Sequence, residues 1–257
     1  RQMDLMRELH HAQVFRLLVQ DLDGRIPLET LADHLSALAD AVIAVTIEAC
    51  WSHLPRRHRD VPSFGVIAYG KLGGKELGYA SDLDLAFVYD DDAPEAPEHY
   101  ARLGQRIVTW LSSRSSAGQL FDTDLRLRPN GEAGLLVVSM DAFRTYQRES
   151  AWIWAHQALR RARYCAGTAS IGIVFEEERI AILRKTRDVA SLAIEVVAMR
   201  ERLFQGHPNA SGRFDVKHGR GGMIDIEFAV QYLVLAHSTR HPGLVGNLGN
   251  IALLNIA

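Results

Sequence analysis

Asp82 and Asp84 alternate with Leu83, Leu85 and Phe87, and a glycine-rich stretch, Gly70-Lys71-Leu72-Gly73-Gly74, precedes them. Side chains on a strand alternate between its faces, so both carboxylates project from one side and the three apolar residues from the other. Two carboxylates this close repel each other and are costly to desolvate. A divalent cation such as Mg²⁺ or Mn²⁺ offsets both effects, because hard oxygen donors are what such ions take. Glycines let backbone N–H groups approach phosphate oxygens, so Gly70-Lys71 directly after a strand reads as an anion cradle. A metal site beside a phosphate cradle points to chemistry on a nucleotide.

A third carboxylate lies in Asp122-Thr123-Asp124-Leu125-Arg126-Leu127-Arg128. Read as a strand, this segment puts Asp124, Arg126 and Arg128 on one face. Beside the first strand, Asp124 would complete a three-carboxylate site and the arginines would meet phosphate. Two metals so held sit ~3.5–4 Å apart and stabilise the attacking and leaving oxygens of an in-line displacement. One would activate an acceptor hydroxyl, and the other would hold the triphosphate and the departing pyrophosphate. Asp124, least committed to bridging, could take the acceptor's proton. Each piece also has an ordinary structural account: a strand-end turn, a glycine turn, surface arginines. In this order they are much harder to explain as structure alone.

Other motifs carry less. Gly65 to Lys71 has P-loop spacing, but Leu72 replaces the metal-binding hydroxyl and the intervening residues read as a buried strand. His237 and His241 are four apart, yet Pro242 follows and no third ligand is evident. Trp152 and Trp154 are expected to pack in the core under the active-site sheet. Arg56-Arg57-His58-Arg59-Asp60 is expected to be a solvated linker.

The elements that must position these residues follow from periodicity. Helices are expected from about 3 to 19, from 28 to 53 and from 97 to 113. Strands are expected at 64–69, 83–89, 120–128 and 135–139, with a turn region and possible half-helix at 70–78. Helices are expected over 140–147, 151–162, 169–185, 189–204 and 223–236. The expected fold is α+β: a small mixed sheet of four or five strands flanked by helices. Its parts are N-terminal helices at 1–60, a catalytic core at 61–166 and a truncated helical domain at 167–257.

With 257 residues, 47% of them hydrophobic, the chain can bury a sizeable core. A net charge of −2 gives no electrostatic reason to expect a nucleic-acid partner. Cys50 and Cys165 make neither a metal spacing nor a disulfide framework, which fits buried thiols in a reducing cytoplasm. No apolar run reads as membrane-spanning, so no membrane partner is expected. The chain starts at Arg1 and stops inside an apolar helical pattern, so it is expected to be a fragment of a longer protein.

Gly70-Lys71 followed by Asp82-Leu83-Asp84 resembles the nucleotidyltransferase superfamily of DNA polymerase β. The fuller set is more specific: Gly70 to Leu85, Asp124-Leu-Arg-Leu-Arg-Pro-Asn-Gly131, and Gly219-Arg-Gly-Gly-Met-Ile-Asp-Ile-Glu-Phe228. Spread over most of the chain, it is similar to bacterial glutamine synthetase adenylyltransferases. That family joins two such units in one polypeptide. One removes AMP from glutamine synthetase by phosphorolysis, and the other adds AMP from ATP. Ala12 to Leu17, Asp21 to Leu28, Ala151 to Leu159 and Gln231 to Leu235 look more like the adenylylating, C-terminal unit; Gly219 to Gly222 does not discriminate.

The resemblance implies transfer of AMP to a tyrosine hydroxyl of glutamine synthetase, with regulation by glutamine and a PII-type signalling protein. It implies Asp82, Asp84 and Asp124 as metal ligands and Gly70, Lys71 and Ser81 at nucleotide-phosphate positions. Lys217 is a candidate phosphate contact and equally a surface lysine. Asp225 and Glu227 are candidates for substrate contact and equally for helix capping. The rivals are the deadenylylating unit, an RNA nucleotidyltransferase with the same site, and a non-enzymatic regulatory module.

Overall fold

A computed structural model describes residues 1–257. The elements in chain order are α1 (Gln2–Leu22), α2 (Leu28–Ser52), β1 (Phe64–Ala68), α3 (Gly70–Gly73), β2 (Leu83–Tyr89), α4 (Ala96–Ser112), β3 (Thr123–Asp124), β4 (Val137–Ser139), α5 (Met140–Thr145), α6 (Ile153–Leu159), β5 (Arg163–Gly167), α7 (Ala169–Leu183), α8 (Val189–Gln205), α9 (Met223–His237) and α10 (Asn250–Ile256). The class is α+β, with a mixed five-stranded sheet and helices at both ends of the chain. Two compact units form, Arg1–Tyr146 with Arg161–Glu176, and Gln147–Arg160 with Glu177–Ala257.

In the first unit β1 is buried at every position, so it reads as a continuous apolar run rather than an alternating one. It pairs antiparallel with β2 on one side and β5 on the other. The far edge of β2 is shared: β3 pairs parallel at its first residues and β4 parallel at its last. The strand β5 was not expected from the sequence. Its residues are mostly half-buried and only Ala166 is buried, so it lacks an apolar signature.

Helix α2 buries Leu31, Leu35, Ala39, Val42 and Ile43 and packs against α4 and β5. By length and composition alone this one helix could cross a membrane, which corrects the reading that no such run exists. Fifty-six per cent of its most apolar stretch is buried inside the protein, and that burial accounts for its apolarity. Helix α1 packs on α2, and its buried Arg7 donates to the Ser113 carbonyl (2.7 Å) and hydroxyl (2.9 Å).

The 56–60 segment is only partly a solvated linker. The Trp51 indole N–H donates to the carbonyls of Arg59 and Asp60. Asp91 accepts from Arg59 (2.7 Å) and the Tyr100 hydroxyl (2.7 Å), and bonds His58 (2.8 Å). His58 in turn shares a hydrogen bond with His99. Burial alone would raise the Asp91 pKa, but these bonds and the Ala93 N–H outweigh it and hold the carboxyl well below its usual range.

In the second unit the Asp188 side chain caps α8 by accepting the Ser191 N–H (2.8 Å), and α8 packs against α9. Gln157 of α6 donates to Gln231 of α9 at 2.9 Å. The expectation that Trp152 and Trp154 pack in the core is wrong: they are 74% and 41% exposed. Trp152 is the N-cap of α6, outside its buried face of His156, Gln157 and Leu159.

Asp91 lies almost wholly out of solvent, with three side chains aimed at it. Asp91→Ala should therefore destabilise the fold by about 3 kcal/mol, read as a urea-unfolding midpoint; an unchanged midpoint would show the cluster to be energetically idle.

Candidate active site

Strand β1 ends at Ala68, and the chain turns at once into the single helical turn α3. Gly70 takes φ +54°, and a Cβ there would lie 2.0 Å from Asp84 Oδ2. The Tyr69 N–H donates to the Asp84 carbonyl at 2.8 Å. The glycine is thus required both for its backbone conformation and for the closeness of the Asp84 carboxylate. Ser81 Oγ accepts the Gly78 N–H (3.0 Å) and lies 3.4 Å from Lys71 Nζ, so the second turn folds back toward the first.

Strand β3 lies beside β2, with Asp84 opposite Asp124 and Leu83 opposite Thr123. Neighbouring strands run about 4.8 Å apart, so the two carboxylates share one edge of the sheet. Asp82, exposed, sits one residue before β2. Asp84 feels all of this: burial first, then the charges of Asp82 and Asp124, push its pKa up from 3.8 to about 6, with Arg126 and Lys71 opposing. Asp124 moves the other way. Its hydrogen bonds with Arg126 lower its pKa, against the opposing effect of burial.

The arginines stand differently from the strand reading. β3 stops at Asp124 because that carboxylate accepts the Arg126 backbone N–H (2.9 Å), an Asx-type turn. The Arg126 guanidinium then chelates the same carboxylate, Nε at 3.0 and 2.9 Å from its two oxygens. Arg128 donates to the carbonyls of Leu125, Glu132 and Gly134 and so braces the following turn. The segment after Asp124 is thus a turn and not a strand, and both arginines still line one cleft with Asp124.

An open cleft of about 460 Å³ is lined by Asp82, Asp122, Asp124, Arg126, Arg128 and Glu132, among others. A depression of about 570 Å³ beside Cys50, His53 and Arg106 has no carboxylate in its wall. As the side chains stand, no three His, Cys, Asp or Glu groups are arranged to hold a metal. The donor set nevertheless fits a cation of the Mg²⁺ or Mn²⁺ class. Every donor is a carboxylate oxygen, and the raised pKa of Asp84 comes first from burial and then from the charges of Asp82 and Asp124, both of which a cation offsets.

The remaining sequence candidates belong to the second unit. Lys217 is exposed, and its backbone N–H donates to Asp215. Asp225, in the first turn of α9, accepts the Gly221 N–H and pairs with Arg200. Sequence reasoning missed Arg163 of β5, which chelates Asp40 of α2 (2.8 and 2.9 Å) and donates to the Leu72 carbonyl at 3.2 Å.

The family model for glutamate-ammonia ligase adenylyltransferase (GlnE) matches residues 1–178. The chain is 62% identical over its full length to a bifunctional glutamine synthetase adenylyltransferase/adenylyl-removing enzyme of Aromatoleum aromaticum, covering 27% of that protein. Proteins of the same name from Burkholderia mallei (60% identical, 98% of this chain, 28% of the relative) and Neisseria meningitidis (54%, 100% and 28%) are similar. The chain thus spans little more than a quarter of these curated relatives.

The pH dependence of stability follows from Asp84. Its folded-state pKa is raised, so the folded protein binds more protons than the unfolded chain between about 4 and about 6. Stability falls as pH rises through that window, and the penalty is full above it. Without divalent metal, Asp84→Asn should be more stable than the parent at pH 7.5 by about 3 kcal/mol and equal to it near pH 3. Urea titrations at the two pH values check this, and a pH-independent difference would contradict it.

Proposed function

This chain belongs to the glutamate-ammonia ligase adenylyltransferase family, and from that premise we propose that it is an adenylylating unit, transferring AMP from ATP to a tyrosine hydroxyl of glutamine synthetase. The observation that carries the reading is the pairing of Asp84 with Asp124 beside Gly70, where Asp84 feels the charges of both Asp82 and Asp124. In this reading Asp82, Asp84 and Asp124 hold Mg²⁺ or Mn²⁺. The bound cations supply charge neutralisation for the triphosphate and acidify the attacking hydroxyl.

The chain's own residues do the rest. Gly70, Lys71 and Ser81 receive the phosphates, with Lys71 and Ser81 already side by side. Arg126 has a better partner once a triphosphate enters the cleft, and it moves from Asp124 to the phosphate oxygens. Nucleotide arrival therefore frees the third carboxylate. The tyrosine oxygen attacks the α-phosphorus as the bond to the β-phosphate oxygen breaks and pyrophosphate leaves. The phenolic proton passes to a carboxylate oxygen of Asp124. The reaction takes place in the cytoplasm, and glutamine and a PII-type protein act on it through the longer polypeptide.

The relatives' shared name covers both addition and removal of AMP, so one experiment is run in both directions. The purified chain is given labelled ATP and glutamine synthetase, with and without Mg²⁺. In parallel it is given AMP-modified glutamine synthetase and phosphate. Label on glutamine synthetase supports the adenylylating reading, whereas ADP from the second mixture assigns the chain to the removing unit. Asp82→Asn and Asp84→Asn should each reduce transfer at least about 100-fold with the fold intact; near-normal transfer in either variant would overturn the metal assignment.

Arg126→Ala should move two affinities in opposite directions. Mn²⁺ binding without nucleotide tightens several-fold because Asp124 is released, and ATP binding weakens several-fold. Calorimetry reads both, and a shift of the same sign in each would refute the exchange of partners.

A further inference from the structure

We propose that Arg163 and Asp40 are positioning residues for the nucleotide site, fixing the one-turn helix α3 against the Asp84 carboxylate. The role rests on the functional reading above, but its geometry stands on its own. A single helical turn has too few hydrogen bonds to hold its own position. The Tyr69 N–H to Asp84 carbonyl bond ties the start of the turn to β2, so the other end of α3 is what needs outside support, and Gly70 has no slack. The space a Cβ would take there is already filled by Asp84 Oδ2, so even a small displacement of the turn toward β2 collides with that carboxylate.

The outside support is β5. Its entry crosses directly under α3: a Cβ on Gly73 would lie 1.8 Å from the Arg161 carbonyl and 2.6 Å from that of Ala68. Arg161 also pairs with Glu76 at 2.6 Å, just past the turn. Arg163 then ties three elements together. Its two terminal nitrogens chelate Asp40 at 2.8 and 2.9 Å, and its Nε donates to the Leu72 carbonyl at 3.2 Å. Leu72 O lies at the C-terminal end of α3, where it accepts the Lys75 N–H at 3.2 Å and has a second lone pair open to Arg163. The side chains are only 13% and 26% exposed, so solvent competes little for these bonds.

The chemistry requires arginine. Its planar fork offers donors in two directions at once, one edge for a carboxylate and Nε for a carbonyl, whereas a lysine ammonium serves one of these well. Arg163 bonds Asp40, Leu72 and Tyr164 and none of Asp82, Asp84 and Asp124, so it acts through α3.

The test uses the whole chain, with Arg163→Met, Arg163→Lys and Asp40→Asn, and with Arg59→Met as a control that removes an ion pair to Asp91. Backbone amide exchange is followed over residues 69–76 and, for reference, over β1 and β2. Mg-ATP affinity is measured on the same samples. Arg163→Met should speed exchange in 69–76 about 10-fold or more while β1 and β2 stay protected, and should weaken Mg-ATP binding about 10- to 100-fold. Arg163→Lys should show the same pattern at smaller amplitude, and it carries the test if the Met variant does not fold. Asp40→Asn, which keeps an oxygen acceptor, should fall between parent and Met variant, and Arg59→Met should leave both readouts unchanged. Unchanged exchange at 69–76 in both Arg163 variants overturns the brace. Faster exchange with unchanged affinity overturns its role in positioning. A parent chain that binds no Mg-ATP overturns the functional reading and this role with it, whatever the exchange shows.

Discussion

Like charges crowded at one sheet edge are the constraint around which the first unit is arranged. Asp84 is two-sided: its backbone belongs to the buried sheet and its carboxylate faces two other acids. No hydrophobic argument favours that placement. It persists because the flanking residues Leu83, Leu85 and Phe87 are buried essentially completely. Their burial fixes the register of β2, and register alone decides which face the aspartates take. The apolar half of the strand thus holds the acidic half where electrostatics opposes it. Such opposition is typical of sites built to bind something of the opposite sign.

The surroundings respond in two ways. Arg126 neutralises one member of the cluster from within the cleft, while Lys71 and Arg126 together soften the field at Asp84 without cancelling it. The resulting arrangement is a compromise. One carboxylate is chelated and its pKa lowered, and its neighbour across the ladder has its pKa pushed up to about 6. Splitting two adjacent carboxylates in this way sets them up for different duties.

Much of this was legible in the sequence because β2 obeys a simple period. Leu83, Leu85 and Phe87 announced one buried face, and Asp82 and Asp84 announced a polar end on the other, which continues through the buried Ala86 and Val88. The fully buried β1 was equally legible as an unbroken apolar run. The segment after Asp124 misled for a physical reason. Leu125-Arg126-Leu127-Arg128 alternates like a strand, but alternation says nothing about a carboxylate capturing the backbone two residues on. That local bond competes with the ladder and ends it. β5 was illegible for the opposite reason. Its side chains sit at intermediate burial, so its ladder to β1 left no trace in residue type. With β5 went the meaning of Arg163, a long-range contact that no local pattern encodes. Likewise, the basic run 56–59 looked like a solvated charge cluster because its partner, Asp91, is remote in sequence.

The outer edge of β2 carries two short parallel partners set end to end, one at each end of the strand. Each is anchored independently, and the chain between Leu125 and Leu136 leaves the ladder and returns to it. Its length is therefore decoupled from the alignment of either anchor, and closing a longer excursion costs little entropy. The cleft wall that Arg128 and Glu132 help to form thus rests on its own turn, and only Arg126 links it to the Asp124 carboxylate.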